Sequence, residues 1–310
     1  DNIVLNLFPF IFGCEGEKTT SQERIFFRQA QPFGFILFGR NLKNPEQIND
    51  LCQSLRDSVG WNAPVMIDQE GGRVARLGAP HWFEFTPALQ QSENVYAERT
   101  FWLRGRLIAE NLRLSGIDVN CAPLGDIAQP DTHHILRNRC YGTDKSQVII
   151  NARALNSGLR HGGISGVLKH IPGHGRAKLD SHLFLPKVLL DQDLLEDTDF
   201  SVFKQLKDMD MGMTAHLIFD QLDPKNPATQ SPTVINMIRN EIGFTGLLIT
   251  DDISMNALEG NLKTRALKAL GAGCDIVLHC NGVLQEMKLL HQNSTELAGN
   301  SLDRAKLSIN

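Results

Sequence analysis

Three histidines and an aspartate lie close together in one glycine-punctuated segment, residues 167–186 (VLKHIPGHGRAKLDSHLFLP). Ionisable side chains at this density are costly in a core and indicate a functional site. Asp180 and His182 have the i, i+2 spacing that brings two side chains to one side of an extended loop, where a carboxylate can orient an imidazole. The pair therefore favours a general acid and base near neutral pH, with a structural loop histidine as the alternative.

The same segment could also hold a metal ion through His170, His174, Asp180 and His182. Their spacing, H-x3-H-x5-D-x-H, matches neither a zincin helix nor a standard zinc module. A proline and a glycine between the first two histidines also prevent them from lying on successive turns of a helix. We therefore expect no metal at this site, although a metal-dependent hydrolase stays open as an alternative.

A second candidate group is the pair Asp251-Asp252, which follows the apolar run Leu-Leu-Ile-Thr. Successive side chains of a strand point to opposite faces, so at most one of the two carboxylates should face a common site. The other should anchor a loop or cap the next turn. Alternation alone does not decide which of the two does chemistry.

Short apolar runs that alternate with amphipathic segments must position these residues. Most of the runs are continuously hydrophobic, as is typical of strands that are buried on both faces. We predict strands near Leu7–Phe12, Phe33–Phe38, Val65–Ile67, Asp118–Cys121, Gly166–Lys169, Met211–Thr214, Leu247–Thr250 and Ile276–Leu278. Helices are predicted at Pro45–Val59, Ala97–Ser115, Lys145–His161, Asp193–Met209, Thr233–Ile242 and Leu262–Leu270. Eight strands that alternate with helices predict an α/β fold, a single (β/α)8 TIM-type barrel, with a doubly wound sheet as the alternative.

Several predicted helices have recognisable ends. Asn44-Pro45 suits an N-cap followed by proline in the first turn. Three glycines fall where C-terminal caps are expected, namely Gly116, Gly162 and Gly271.

Polar side chains follow five of the predicted strands, and in a barrel these strand ends meet at the face that carries active sites. They are Asp68, Glu70, Arg73 and Arg76; Asn120, Asp126, Arg137 and Arg139; Lys169 and His170; His216; and Asp251 and Asp252. Such convergence predicts an enzyme. The arginines and the lysine suit charge-assisted hydrogen bonds to hydroxyl and acyl groups, whereas the glycine pairs match no nucleotide-binding pattern.

Composition excludes several other classes of protein. The 310 residues are 42% hydrophobic and 21% charged, a composition typical of a globular protein. The net charge is −4, so the chain lacks the excess of basic residues that a nucleic-acid binder needs. No apolar run approaches the about 18 residues of a membrane span, and the N-terminal DNIVLNLFPFIFGCEGE is interpreted as a first strand rather than a signal peptide. Six cysteines without a CxxC pair favour free thiols and a cytoplasmic location.

Six segments of the chain, taken in order, resemble glycoside hydrolase family 3. They are IDQEGGRVARL, NRCYG, KHIPGHG with the following DSH, MTAHLIF, TDDISM and GAGCDIVLHCN. The resemblance extends from Gly34 to Asn281, and the K-H-x-P-G-H-G-x4-D-S-H string is highly specific. Within the family, the chain is similar to the bacterial β-N-acetylglucosaminidases of peptidoglycan recycling.

The resemblance implies a catalytic role for three residues: Asp251 as the nucleophile, His182 as the general acid and base, and Asp180 as the partner of that histidine. It also implies a set that binds N-acetylglucosamine (GlcNAc), which consists of Asp68, Arg76, Arg139, Lys169 and His170. The implied reaction is retaining hydrolysis that removes GlcNAc from the non-reducing end of peptidoglycan fragments (GlcNAc-1,6-anhydroMurNAc and its peptides). No cofactor is implied, and we expect a monomer.

The resemblance further implies one catalytic barrel domain over residues 1–310, without the second α/β-sandwich domain of many family members. Two departures from the family pattern are small: Ile171 stands where phenylalanine is usual, and Thr250 where serine is usual. A β-glucosidase or β-xylosidase of the same family is the main alternative. A non-catalytic sugar-binding barrel is a weaker one. Because His182 lies on a loop, we expect the site to be complete when that loop folds over the sugar.

Overall fold

The described part of the chain is built from short buried strands, each followed by one or more helices. The structure is a computed structural model that describes residues 6–309. The start of the N-terminal apolar segment and the two ends of the predicted 1–310 domain lie outside the described residues. The strands are, in chain order, β1 (Phe8–Phe12), β2 (Pro32–Leu37), β3 (Val65–Ile67), β4 (Gln69–Gly71), β5 (Val74–Ala75), β6 (Val119–Asn120), β7 (Ser165–Ile171), β8 (Lys187–Val188), β9 (Met211–Thr214), β10 (Ile218–Phe219), β11 (Leu247–Ile249) and β12 (Val277–His279).

Eight of these strands form a nearly closed parallel barrel among residues 6–309, in the order β11-β9-β7-β6-β3-β2-β1-β12. The ring closes between β11 and β12 through a parallel bridge from Ile249 to Ile276. The amide of Leu278 also donates to Thr250 Oγ1 at 3.0 Å across this seam. The predicted (β/α)8 barrel is confirmed and the doubly wound alternative is wrong, because neighbours in the sheet follow the chain order around the ring. The remaining strands form two small pairs, β4 with β5 and β8 with β10.

Helices surround the barrel. They are α1 (Ser21–Ala30), α2 (Pro45–Val59), α3 (Ala88–Ser92), α4 (Ala97–Leu114), α5 (His134–Arg137), α6 (Lys145–His161), α7 (Gln192–Asp197), α8 (Asp199–Gln205), α9 (Pro232–Met237), α10 (Leu262–Ala272), α11 (Leu284–Gln292) and α12 (Gly299–Ser308). Asn44 caps α2 as predicted, since its side chain accepts from the amide of Gln47 at 2.9 Å. Among the described residues, none of the helices combines the length and the apolar character needed to cross a membrane.

Three helix predictions need correction. The segment Asp193–Met209 divides into α7 and α8, because Thr198 leaves helical geometry with φ −114° and ψ −89°. The segment Thr233–Ile242 is α-helical only to Met237 and continues as a π-helix. Gly271 lies inside α10, and Gly273, with φ 115°, takes the C-terminal cap in its place.

The buried strands divide their side chains between two apolar clusters, as alternation requires. On β1, Phe10 and Phe12 stack with ring centroids 5.0 Å apart, and Phe12 also packs against Phe26 of α1. Ile11, between them, belongs to the second cluster with Met66 of β3 and residues of the other barrel strands. The strands therefore have no solvent-facing side, which explains why their sequences are continuously hydrophobic.

Helices α4 and α6 pack closely because each presents a glycine to the other. A Cβ on Gly158 would collide with the backbone oxygen of Trp102, and one on Gly105 with that of Leu155. We expect Gly158→Ala to lower the free energy of unfolding by about 2 kcal/mol, since the helices must separate. Gly271→Ala is the matched helical control, because a Cβ there meets no atom of the described chain within 4 Å. It should raise the free energy of unfolding by about 0.5–1 kcal/mol. If urea unfolding showed that both variants change the free energy of unfolding in the same direction, the result would contradict this packing.

Candidate active site at the barrel mouth

The carboxyl ends of the barrel strands enclose a cavity of about 350 Å³. The structure brings all eight predicted site residues to its lining. They are Asp68, Arg76, Arg139, Lys169, His170, Asp180, His182 and Asp251. Their side chains reach the cavity from β7 and from the loops that follow β3, β6, β7 and β11, which is the face that a (β/α)8 barrel uses for chemistry.

On one side of the cavity, the buried carboxylate of Glu70 pairs directly with two of the charged residues. Arg139 donates to it twice, from Nε and Nη2, each at 2.9 Å, and Lys169 Nζ lies 2.6 Å from Glu70 Oε1. Lys169 also reaches Asp68 at 3.2 Å, and Arg76 lies 3.5 Å from the other oxygen of Asp68. These contacts hold the side chains in fixed positions from which their remaining polar atoms can bind hydroxyl groups.

The charges of this network are also fixed. Burial alone would raise the pKa of Glu70, but Arg139 and Lys169 outweigh it and lower the pKa to about 2. Burial likewise works against the cations, yet the carboxylates of Glu70 and Asp68 raise the pKa of Lys169, and Glu70 raises that of Arg139. All three groups therefore stay ionised through the neutral range.

Replacement of Glu70 by glutamine should destabilise the protein in a pH-dependent way. The pKa of Glu70 falls from an ordinary 4.5 to about 2 on folding, so the stabilisation, on the order of 3 kcal/mol, is present above 4.5 and lost as the pH falls toward 2. We therefore expect Glu70→Gln to unfold more easily than the wild type in urea at about pH 6, and the difference to shrink by about pH 3. Glu93→Gln, at an exposed position, should have the same free energy of unfolding as the wild type at every pH. If the difference between Glu70→Gln and the wild type did not change with pH, the result would contradict the ion pairing.

His170 stands between two carboxylates. Its Nδ1 lies 2.7 Å from Asp126 Oδ2, and its Nε2 faces Asp251 Oδ2 at 4.0 Å. Lys169 and His170 both line the cavity although they are neighbours on β7, because the register of β7 against β9 shifts between Lys169 and Ile171. The ionised Asp126 accepts the Nδ1 proton and so holds the ring toward Asp251.

The two consecutive aspartates have different surroundings. Asp252 accepts from Ser254 Oγ at 2.6 Å and from the amide of Cys280 at 3.3 Å, so its carboxylate anchors the turn after β11. Within the described residues, Asp251 accepts one hydrogen bond, from the amide of Asp252 to Oδ1 at 2.8 Å, and its Oδ2 points toward His170. Burial would raise the pKa of Asp251, but His216, His170 and that amide hold it below the usual range. Asp251 is therefore an ionised carboxylate at the cavity, and Asp252 fills the anchoring role that alternation predicted for one of the pair.

Asp180 and His182 form the expected pair on the loop between β7 and β8. His182 Nδ1 lies 2.8 Å from Asp180 Oδ1, which also accepts the His182 amide at 3.0 Å. Burial would raise the pKa of Asp180, but these two bonds outweigh it and lower the pKa. The carboxylate therefore accepts the Nδ1 proton and leaves Nε2 for proton exchange. The His182 side chain is 58% exposed, and its carbonyl accepts from the amide of Asn256 at 3.2 Å, in the segment that follows Asp251.

The possible metal set does not converge. His174 is hydrogen-bonded through Nε2 to Ser181 Oγ at 3.1 Å, and His182 pairs with Asp180. Within residues 6–309, no group of three or more histidine, cysteine, aspartate or glutamate side chains is arranged to hold a metal ion.

Sequence reasoning gave no role to Glu70 or Asp126, although both follow predicted strands. Each is buried and accepts hydrogen bonds from two residues of the site. Glu70 accepts from Arg139 and Lys169. Asp126 accepts from His170 and His174. Their position at strand ends was the available signal. An acidic residue buried beside several predicted cations is required for charge balance.

Nearly all of the barrel matches a known family. The family model described as Glycosyl hydrolase family 3 N terminal domain matches residues 13–306. The chain belongs to this family. Among curated proteins, a beta-hexosaminidase of Alkalilimnicola ehrlichii is 35% identical over 89% of this chain and 81% of its own length. Another beta-hexosaminidase, from Methylobacillus flagellatus, is 31% identical over 97% of this chain and 88% of its own length.

Solved structures of the family agree with the fold. The crystal structure of NagZ from Neisseria gonorrhoeae in complex with N-trifluoroacetyl-D-glucosamine superposes with a TM-score of 0.88 at 29% identity, over 97% of this chain and 89% of that one. The resemblance predicted from the sequence, to family 3 and within it to β-N-acetylhexosaminidases, is confirmed. The prediction that this chain is a glycoside hydrolase is confirmed with it.

Proposed function

We propose that this family 3 chain is a retaining exo-β-N-acetylglucosaminidase. Its substrates would be peptidoglycan fragments with GlcNAc at the non-reducing end, GlcNAc-1,6-anhydroMurNAc and its peptides. The observation that carries the proposal is that an ionised carboxylate, Asp251, and a carboxylate-paired histidine, His182, line the same cavity. The names of the relatives, beta-hexosaminidase and NagZ, support the choice of an N-acetylhexosamine.

In the first step of the proposed reaction, Asp251 Oδ2 attacks the anomeric carbon and forms a glycosyl ester as the bond to the leaving oxygen breaks. His182 Nε2 gives its proton to that oxygen, and Asp180 stabilises the charged ring before the transfer. In the second step, His182 takes a proton from water, which attacks the same carbon and releases Asp251. Two inversions give net retention.

The sugar-binding set would hold GlcNAc against Asp251. Asp68 would accept from sugar hydroxyl groups, while Arg76, Arg139 and Lys169 would donate to hydroxyl and acetamido oxygens. His170, oriented by Asp126 at 2.7 Å, lies next to the attacking carboxylate. The rigid ion pairs of these residues support a positioning role, since little reorganisation is needed when the sugar enters.

We further propose that residues 1–310 work as one catalytic domain, as a cytoplasmic monomer without a cofactor. Support for one domain comes from the barrel, whose strands and flanking helices extend from Phe8 to Ser308. Six free buried cysteines support a reducing compartment.

A 5-fluoro GlcNAc donor with an activated leaving group tests the covalent step. This donor slows both steps yet keeps the 2-acetamido group, which is the nucleophile in the rival, substrate-assisted mechanism. Mass spectrometry should find one glycosyl unit on the peptide that contains Asp251. Turnover of the donor without such an adduct would favour attack by the acetamido oxygen, with Asp251 as its orienting group.

Substrate choice is tested with nitrophenyl glycosides and then with GlcNAc-1,6-anhydroMurNAc. We expect the GlcNAc compound to be hydrolysed with a kcat/KM at least about 100-fold above those of the glucose and xylose compounds, because a pocket that hydrogen-bonds a polar group discriminates strongly against its absence. Equal rates would favour the β-glucosidase or β-xylosidase alternative. Loss of activity on prolonged chelation would favour a metal-dependent hydrolase.

A further inference from the structure

His174 is a buried histidine that the proposed mechanism does not use. It is 6% exposed, and its Nδ1 has no hydrogen-bond partner in the described part of the chain. Its ring has one side-chain hydrogen bond there, from Nε2 to Ser181 Oγ at 3.1 Å. Burial lowers the pKa of His174 to about 4, so the ring is neutral. A buried polar ring whose side-chain hydrogen bond leads to the loop of the proposed acid/base pair requires an explanation.

The position of His174 is fixed from the barrel side. Its amide donates to Asp126 Oδ1 at 2.7 Å, and Asp126 Oδ2 is the partner of His170. The turn around it is also connected to the segment that follows β6, because Thr132 Oγ1 donates to the Gly175 carbonyl at 2.5 Å. A Cβ on Gly175 would also collide with the backbone oxygen of Ile127. His174 is therefore part of the rigid wall of the site.

Ser181 is the point at which the loop meets this wall. It lies between Asp180 and His182, yet it is only 7% exposed, whereas the His182 side chain is 58% exposed. Fixing Ser181 Oγ fixes the backbone from which both members of the acid/base pair project. One chain of contacts thus connects the sugar-facing His170, through Asp126, His174 and Ser181, to His182.

We infer that the His174–Ser181 hydrogen bond is a latch that holds the Asp180–His182 pair over the cavity. His174 and Ser181 are then positioning residues for the general acid. They contact neither the substrate nor the proton that His182 transfers to the leaving oxygen. This inference rests on the proposed function, in which His182 protonates the leaving group. A misplaced acid slows only reactions that need protonation, so the effect of breaking the latch should depend on the leaving group.

The test measures kcat/KM, which reports the first step, for a series of aryl GlcNAc glycosides with leaving groups of different acidity. Ser181→Ala should lose about 10- to 100-fold on the least acidic leaving group and less than about twofold on 2,4-dinitrophenol. Ser181→Thr, which keeps the hydroxyl, should recover most of the loss. Leu183→Ala, on the same loop with a side chain 56% exposed, should behave as the wild type.

The double variant Ser181→Ala/His182→Ala distinguishes the latch from the mechanism that it serves. If the latch acts through His182, removal of Ser181 Oγ from His182→Ala should cause no further loss. A loss for Ser181→Ala that is equal for all leaving groups, or that persists without His182, would overturn the latch and leave the acid role of His182 intact. If His182→Ala itself shows no dependence on the leaving group, the acid role fails and the latch fails with it.

Discussion

Asp251→Ala should lower kcat/KM for aryl GlcNAc glycosides about 10,000-fold or more, the largest loss that we expect from a single replacement. The carboxylate has a lowered pKa and lines the cavity, so the variant loses the ionised group that we propose as the nucleophile, together with one hydrogen bond from the amide of Asp252. Thermal unfolding should change little, because Asp252 and not Asp251 anchors the turn through Ser254 and Cys280. Glu259→Gln removes an exposed carboxyl from the same segment and should retain full activity.

Azide makes this prediction more specific. In Asp251→Ala, azide can enter the vacated space, attack the anomeric carbon of a 2,4-dinitrophenyl donor and expel the phenolate. The product should be the α-glycosyl azide, since one displacement inverts the centre. A β-glycosyl azide would mean that the 2-acetamido group had already attacked from the α face, and would remove Asp251 from the role of nucleophile.

His182→Ala should show the second largest effect, and its size should depend on the substrate. For GlcNAc-1,6-anhydroMurNAc, whose leaving oxygen needs a proton, we expect kcat/KM to fall about 1,000-fold. For the 2,4-dinitrophenyl glycoside the loss should stay below about tenfold, because that phenolate leaves without protonation. The 58% exposure of the side chain means that its removal leaves no buried cavity, so stability should not change.

Two further variants complete this comparison. His134→Ala removes an exposed imidazole from α5, and it should hydrolyse both substrates at the wild-type rate. Asp180→Asn keeps a hydrogen bond to the ring but removes the charge that stabilises the imidazolium, so it should fall between the wild type and His182→Ala on the disaccharide. A uniform loss on both substrates for His182→Ala would exclude the acid role.

Local sequence was sufficient for most of the elements. The bounds of α2 and α6 agree with the prediction, because an apolar periodicity and a cap residue, Asn44 or Asp144, define each helix. The failures occur where tertiary contacts compete with periodicity. The segment predicted as one helix over Asp193–Met209 breaks at Thr198, where the neighbouring Asp199 is buried and pairs with Arg176.

The sequence by itself was sufficient to predict the family, the barrel and eight of the residues that line the cavity. The family motifs named these residues, and strand ends converge in any (β/α)8 barrel. The tertiary structure decided how those residues are held. Glu70 joins Arg139, which is 69 residues away, and the loop of His182 is tied to the wall through Ser181 and His174. Such contacts depend on where a strand changes register and which way a loop folds back. No local pattern of the chain encodes the partner of a side chain that is distant in sequence.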